Sequence, residues 1–179
     1  MALKATIFKV DLQISDMERH HYQTYQLTLA RHPSETDQRL MVRLLAFAIN
    51  ADHGLTFTKG LCNDNEPELW LKNLSGETEL WIELGQLDEK RLRRACGQAK
   101  RVIVYLYARR SAEAWWSQYQ NKLLRYNNLQ LVMLSVAGET ALESLSRRTM
   151  SLQATIQDNQ IWLSDETQTV TIEIQNWFP

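Results

Sequence analysis

The sequence predicts a mixed α/β (α+β) domain whose two ends supply an added antiparallel β lobe. Three observations carry this. Residues 4–15 and 22–30, and again the stretch beyond 150, alternate apolar with polar side chains, as half-buried strands do. A strong helix-start signal follows the first two runs. Between them and the end lies Val102-Ile103-Val104-Tyr105-Leu106-Tyr107, apolar nearly throughout, as a strand covered on both faces must be. A chain of 179 residues, 44% hydrophobic and 23% charged, is long enough to bury one core.

In chain order, 4–15 and 22–30 should pair as a hairpin. Pro33 then precedes Ser34-Glu35-Thr36-Asp37, which has the spacing of a capping box, and Leu40, Met41, Leu44, Leu45, Phe47 and Ala48 recur at helical spacing to about residue 50. A short strand is expected over 55–58, a hairpin over 66–85 and a second helix over 88–100, with Leu92, Ala95, Cys96 and Ala99 as its apolar stripe. The apolar strand at 102–107 leads to a helix over 111–124, a strand over 129–134 and a helix over 138–147. Strands at 152–157, 161–164 and 169–174 close the chain, the first two joined by an Asp158-Asn159 turn. With no linker, repeat or low-complexity tract, we treat 1–179 as one domain, with a core over about 31–148 and the β lobe formed by about 1–30 and 149–179.

Composition removes several function classes. Twenty basic against twenty-one acidic residues leave a net charge of −1, so any attraction for nucleic acid must be local. The opening MALKATIFKVDL has no apolar leader region, and no window approaches the length of an apolar membrane span, which points to a cytoplasmic protein without membrane contact. Cys62 and Cys96 are too few for a disulfide framework or a zinc site and are expected to be reduced. No Ser-His-Asp order, glycine-rich phosphate loop or cysteine-nucleophile setting appears. His20, His21 and His53 have no ligand partner at spacing, and His32 lies at the entrance of the capped helix.

The hairpin EPELWLKNLSGETELWIELG raises a sharper question. With Ser75-Gly76 as a two-residue turn, opposed residues have numbers summing to 151. That register pairs Lys72 with Glu79, Trp70 with Trp81 and Glu68 with Glu83 on one face, and Leu71 with Leu80 and Leu69 with Ile82 on the other. Like charges opposed across strands repel, so the fold must supply a cation, share a proton or splay the strands. Scattered surface glutamates are the ordinary alternative.

The strings LTLARHPSETDQRLMVRLLAFA, FTKGLCNDNEPELWL, LWIELG, RTMSLQATIQD and IWLSD resemble the YaeQ family of bacterial proteins, over essentially the whole chain. The resemblance implies a PD-(D/E)xK restriction-endonuclease-like core, ordered helix, three strands, helix, strand, as in the elements above. It implies little about activity. The superfamily's motif is a proline-acid step followed by an acid, any residue and a lysine on the third core strand. Pro67-Glu68 and Glu83 match, but Gly85 stands where the lysine belongs.

On that resemblance Glu68 and Glu83 would hold a divalent metal, magnesium by ligand chemistry, with Glu35 or Asp64 as a further ligand. Lys59 or Lys90 would replace the missing lysine in catalysis, since Lys72 lies about 13 Å along its strand. Glu35, Arg39 and Arg43 at i, i+4, i+8 read equally as a solvated ion-paired face. Lys90, Arg91, Arg93, Arg94, Lys100, Arg101, Arg109 and Arg110 place eight of the twenty basic residues in 21 positions. From this cluster Lys90, Arg91 and Arg94, with Arg39, are the expected nucleic-acid contacts, set against a plain solvated helix face. Trp70, Trp81, Trp115 and Trp116 could stack bases or pack the core. Two functions follow: a magnesium-dependent phosphodiesterase on nucleic acid, or a degenerate nuclease-like module that binds nucleic acid or a protein partner without cleavage.

Overall fold

The structure, a computed structural model, describes residues 4–60 and 63–179, so Cys62 lies outside the described residues. The elements are β1 (Thr6–Asp16), β2 (His21–Arg31), α1 (Asp37–Asn50), β3 (Leu55–Phe57), β4 (Leu69–Lys72), β5 (Thr78–Leu84) and α2 (Glu89–Gln98). They continue with β6 (Ala99–Leu106), α3 (Arg109–Leu123), β7 (Leu129–Ala137), a 3₁₀ turn (Leu142–Leu145), β8 (Thr149–Gln157), β9 (Gln160–Ser164) and β10 (Thr169–Phe178). This is a mixed α+β fold. It divides into two compact units, Met1–Ile49 with Val136–Ile174, and Asn50–Ser135 with Gln175–Pro179.

In the first unit the strands lie in the order β2-β1-β8-β9-β10, with β1 antiparallel to β2 and parallel to β8. Phe8, Val10, Leu12 and Ile14 of β1 are buried, while Lys9, Asp11 and Gln13 between them are exposed, as the period of a strand requires. The β1–β2 turn is held by Asp16, whose carboxylate accepts the N–H groups of Glu18 and Arg19. Asp158 and Asn159 have φ of 52° and 58°, the two left-handed residues of a type I′ hairpin turn, as the sequence predicts.

Helix α1 is buried from Leu40 to Ala48, and its entry differs from the predicted capping box. Thr36 rather than Ser34 caps it: the Thr36 hydroxyl accepts from Arg39 N–H and its carbonyl from Leu40 N–H. Ser34 instead bonds His32. The charge pattern Glu35, Arg39, Arg43 is a buried network and not a solvated face. The Glu35 carboxylate accepts from Arg39 Nη1 at 3.0 Å and Arg43 Nη2 at 2.8 Å, and Arg43 also bonds the Ala30 carbonyl, fixing the end of β2 to α1. The helix expected over 138–147 is also corrected. Strand β7 runs on to Ala137, Gly138 turns with φ of 88°, and one 3₁₀ turn suffices to bury Leu142 and Leu145, which eclipse at i, i+3.

The second unit orders its strands β7-β6-β5-β4-β3, parallel from β5 to β7 and antiparallel from β3 to β5. The predicted register holds at Leu69–Ile82, Trp70–Trp81 and Leu71–Leu80, but the turn does not. Asn73 N–H donates to the Glu77 carbonyl, leaving a three-residue loop closed by Gly76 at φ of 83°, and Asn73 Oδ1 accepts from Ser75 and Glu77 N–H. A bulge between Leu71 and Lys72 absorbs the odd residue, so Lys72 pairs with Thr78 and not Glu79. Lys72 lies over the Trp70 ring, and Glu79 binds Lys100.

Arg43→Ala should lower the free energy of unfolding by about 3 kcal/mol, because the Glu35 side chain, 2% exposed, loses one of its two guanidinium partners. Leu74→Ser at the exposed hairpin tip should change it by less than about 0.5 kcal/mol. Urea unfolding of both variants checks the contrast.

Candidate functional site

Strand β5 is buried from Leu80 to Leu84, flanked by β4 and β6, so a carboxylate placed on it leaves water. Glu83 is that carboxylate. Trp81, two residues earlier and on the same face, donates its indole N–H to Glu83 Oε1 at 2.9 Å. Glu68 lies just ahead of β4, where its N–H donates to the Ile82 carbonyl and its own carbonyl accepts from Thr58 N–H. Both side chains are buried, and the hairpin register brings them close enough for the Glu68 charge to act on Glu83.

The cation that the like charges demand is Arg91. Asp88 caps α2 by accepting Arg91 N–H at 2.8 Å, which sets Arg91 in the first turn. Side chains there lean back toward the helix N-terminus and so toward the end of β5. Its Nε donates to Glu83 Oε1 at 2.9 Å and its Nη2 to Oε2 at 3.2 Å, the two-pronged geometry of a guanidinium on a carboxylate. The same group donates to the backbone carbonyls of Glu66, at 2.9 Å, and Asp64, at 3.1 Å. Arg94 adds a bond to the Asp64 carbonyl at 2.9 Å and one to Asn65 Oδ1 at 3.0 Å. Burial nevertheless raises the proton affinity of Glu83, with a small further push from Glu68, against the lowering by Arg91 and Trp81.

Two glycines shape the site. Gly60 has φ of 53°, and a Cβ there would meet Glu68 Oε2 at 2.7 Å, so the backbone can approach that carboxylate only without a side chain. Gly85 has φ of 82° just past the end of β5. A lysine at this point would have to adopt a left-handed backbone, and it would leave the strand whose direction the motif uses to aim it.

The remaining predicted residues fall as follows. Asp64 is almost fully exposed, and its Oδ1 lies 3.9 Å from Arg91 Nη1. Lys59 is exposed, with its backbone N–H 3.4 Å from Glu66 Oε2. Lys90 is exposed on α2 and lines a cleft of about 200 Å³ with Asp64, Asp88, Arg91 and Arg94. Glu35 and Arg39 belong to the first unit, bonded to each other. Among the described residues no three His, Cys, Asp or Glu side chains converge as a metal cluster would. Cys96 is free, and burial pushes its thiol up to about 11, so it is no nucleophile. No described helix is long and apolar enough to cross a membrane.

A family model described as "YaeQ protein" matches residues 1–174. The chain belongs to the YaeQ family. It is 46% identical over 177 residues to the uncharacterized protein YaeQ of Escherichia coli (strain K12), covering 99% of this chain and 98% of that one, and equally so to that of Salmonella typhi. The crystal structure of YaeQ from Xanthomonas axonopodis pv. citri superposes with a TM-score of 0.89 at 43% identity, covering 97% and 98% of the two chains. That of Pseudomonas syringae YaeQ gives 0.90 at 29% identity, covering 98% and 97%. These likenesses carry the YaeQ fold to this chain; the relatives' names state no activity.

Sequence reasoning missed three contributors: Trp81 as a donor to Glu83, Gly60 as the room beside Glu68, and Arg91 as the internal counter-ion. The signal for the last was present. A helix cap at Asp88 places Arg91 in the turn nearest to Glu83.

Because its proton affinity is raised, folded Glu83 holds more protons than unfolded Glu83 just above the ordinary value of 4.5, and its contribution to stability falls as pH rises through that window. The stability of the wild type minus that of Glu83→Gln should therefore fall as pH rises above the ordinary carboxylate value of 4.5, read from urea midpoints. A difference that rises with pH would mean that Arg91 outweighs burial. Gly85→Ala should cost about 1 kcal/mol although its Cβ meets nothing within 4 Å, the cost being purely backbone strain.

Proposed function

We propose that this protein binds nucleic acid through the basic helical layer of its second unit and does not cleave it. The observation that carries the proposal is charge segregation. Residues 88–126 contain ten basic and three acidic residues in a chain of net charge −1. Helices α2 and α3 turn Leu92, Ala95, Ala112, Trp115 and Leu123 into one core cluster with Val102, Val104 and Leu106 of β6. Their opposite faces carry Lys90, Arg93, Arg110, Lys122 and Arg125, all exposed. Glu89 accepts from both Lys122 and Arg125 and so joins the two helices at their surface. Phosphate recognition needs such a field and no base-specific geometry.

A nuclease-type ancestry would support the proposal, and the element order α1-β3-β4-β5-α2-β6 is compatible with the PD-(D/E)xK core that the resemblance implies. The residues present do not fit its chemistry. Both Glu83 oxygens already accept from Arg91, and Gly85 supplies no lysine. A magnesium ion on Glu83 would have to displace a guanidinium that also holds two carbonyls of the 63–66 loop. The competing reading, a magnesium-dependent phosphodiesterase, draws its support from the buried adjacency of Glu68 and Glu83 and requires that displacement.

Fluorescence anisotropy with labelled DNA and RNA tests the proposal. Affinity should fall linearly with salt on logarithmic axes. Reversing the exposed Lys90, Arg93 and Arg110 to glutamate together should weaken it at least about tenfold at low salt, while the products stay uncut with magnesium or manganese. Binding indifferent to the triple reversal would overturn the proposal. Metal-dependent cleavage lost in both Glu68→Gln and Glu83→Gln would establish the competing reading.

A further inference from the structure

One surface of the second unit adds aromatic rings to this charge. Arg109 and Trp116 lie seven residues apart, on one stripe of α3, and both meet the segment 175–178. Arg109 Nη2 donates to Gln175 Oε1 at 3.2 Å. The Trp116 ring lies 6.3 Å from Trp177 and 6.2 Å from Phe178, tilted by 57° and 56°. Rings at these angles pack edge towards face. All three stay half-buried at the rim of the core cluster. Asn176 in the same segment accepts from Gln130, which in turn accepts from Arg101. The segment thus carries rings whose neighbours along it are bonded to Arg109 and, through Gln130, to Arg101, both exposed.

Such a surface distinguishes single strands from duplexes. A duplex keeps its base faces stacked inside and offers phosphates and base edges, on which an aromatic ring cannot stack. A single strand offers flat base faces at intervals between phosphates and can use rings and guanidinium groups together. Resting on the nucleic-acid reading above, we infer that the ligand is single-stranded: bases stack on Trp116 and Trp177 while Arg101, Arg109 and Arg110 hold the intervening phosphates.

The test uses the full chain with three probes: an oligothymidylate of about twelve nucleotides, a duplex of the same length, and inorganic polyphosphate, which has charge without bases. Anisotropy or competition gives affinity, and intrinsic tryptophan fluorescence reports ring contact. The single strand should bind more tightly than the duplex and quench the tryptophans, while polyphosphate should bind without quenching. Trp177→Ala should weaken the oligothymidylate about fivefold or more and leave polyphosphate unchanged, and Trp177→Phe should restore most of the loss. If folded Trp177→Ala binds oligothymidylate like wild type, or the duplex binds better, the stacking inference falls. In that event the triple charge reversal still decides the basic-layer proposal, because loss of polyphosphate binding in it upholds the phosphate field and unchanged binding removes both.

Discussion

The guanidinium of Arg91 on the buried carboxylate of Glu83 is the bond on which the second unit depends. A carboxylate on a strand flanked by two others and covered by tryptophan has lost its water, and a second carboxylate stands beside it. Left alone, Glu83 would have to take up a proton or force the hairpin open. Arginine suits the task because it cannot lose its charge and its planar fork meets two oxygens at once. Its N–H groups also reach two backbone carbonyls of the 63–66 loop, that of Glu66 and that of Asp64, the latter shared with Arg94. One side chain therefore pairs with Glu83, positions the loop and ties β5 to α2.

From that tie the helical layer follows. Asp88 both caps α2 and, through the Arg91 N–H, fixes the turn from which the guanidinium reaches back. With its first turn set, α2 must point Leu92 and Ala95 at the sheet, and its basic positions at solvent. Helix α3 shares the same apolar cluster, and Trp115 joins it to the chain ahead of α2 by donating its indole N–H to the Leu87 carbonyl at 2.9 Å. The charged outer faces are thus a consequence of how the inner faces are anchored. What looks on the sequence like a catalytic pair includes, in the fold, the carboxylate that anchors the inner side of α2 through Arg91.

How far this was legible in the sequence depends on the range of each interaction. The register of β4 and β5 could be read from apolar alternation because slipping by one residue would turn every leucine to the wrong face. That constraint is strong enough that a bulge at Leu71 and Lys72 corrects for a turn one residue longer than expected. The turn and the α1 cap were misread for the opposite reason. Ser34 and Thr36 both have a hydroxyl at capping distance from a helix start, and the choice rests on His32, which engages Ser34. The Glu35 spacing announced an ion pair but not its burial, since nothing local reveals that the Ala30 carbonyl would recruit Arg43. Arg91 appeared only as one charge in a basic run. Its partner lies across a loop and a helix cap, and only the packed structure shows which cation of the run turns inward.

Net charge was the weakest guide of all. Screening at physiological salt confines a charge's influence to about 8 Å, less than the breadth of a domain, so a polyanion meets the local field and not the sum over the chain. A protein of charge −1 with ten basic and three acidic residues in the stretch 88–126 carries most of its acids outside that stretch, some of them paired to it as Glu79 is to Lys100 and Glu83 to Arg91. The inward turn of Arg91 then has a second effect. By satisfying Glu83 from within, it offsets one buried negative charge behind the surface of α2, where Lys90 and Arg93 stand exposed. An unpaired Glu83 close behind them would draw down the positive potential of that surface. The ion pair that satisfies Glu83 from within therefore also lets α2 present positive charge at its surface.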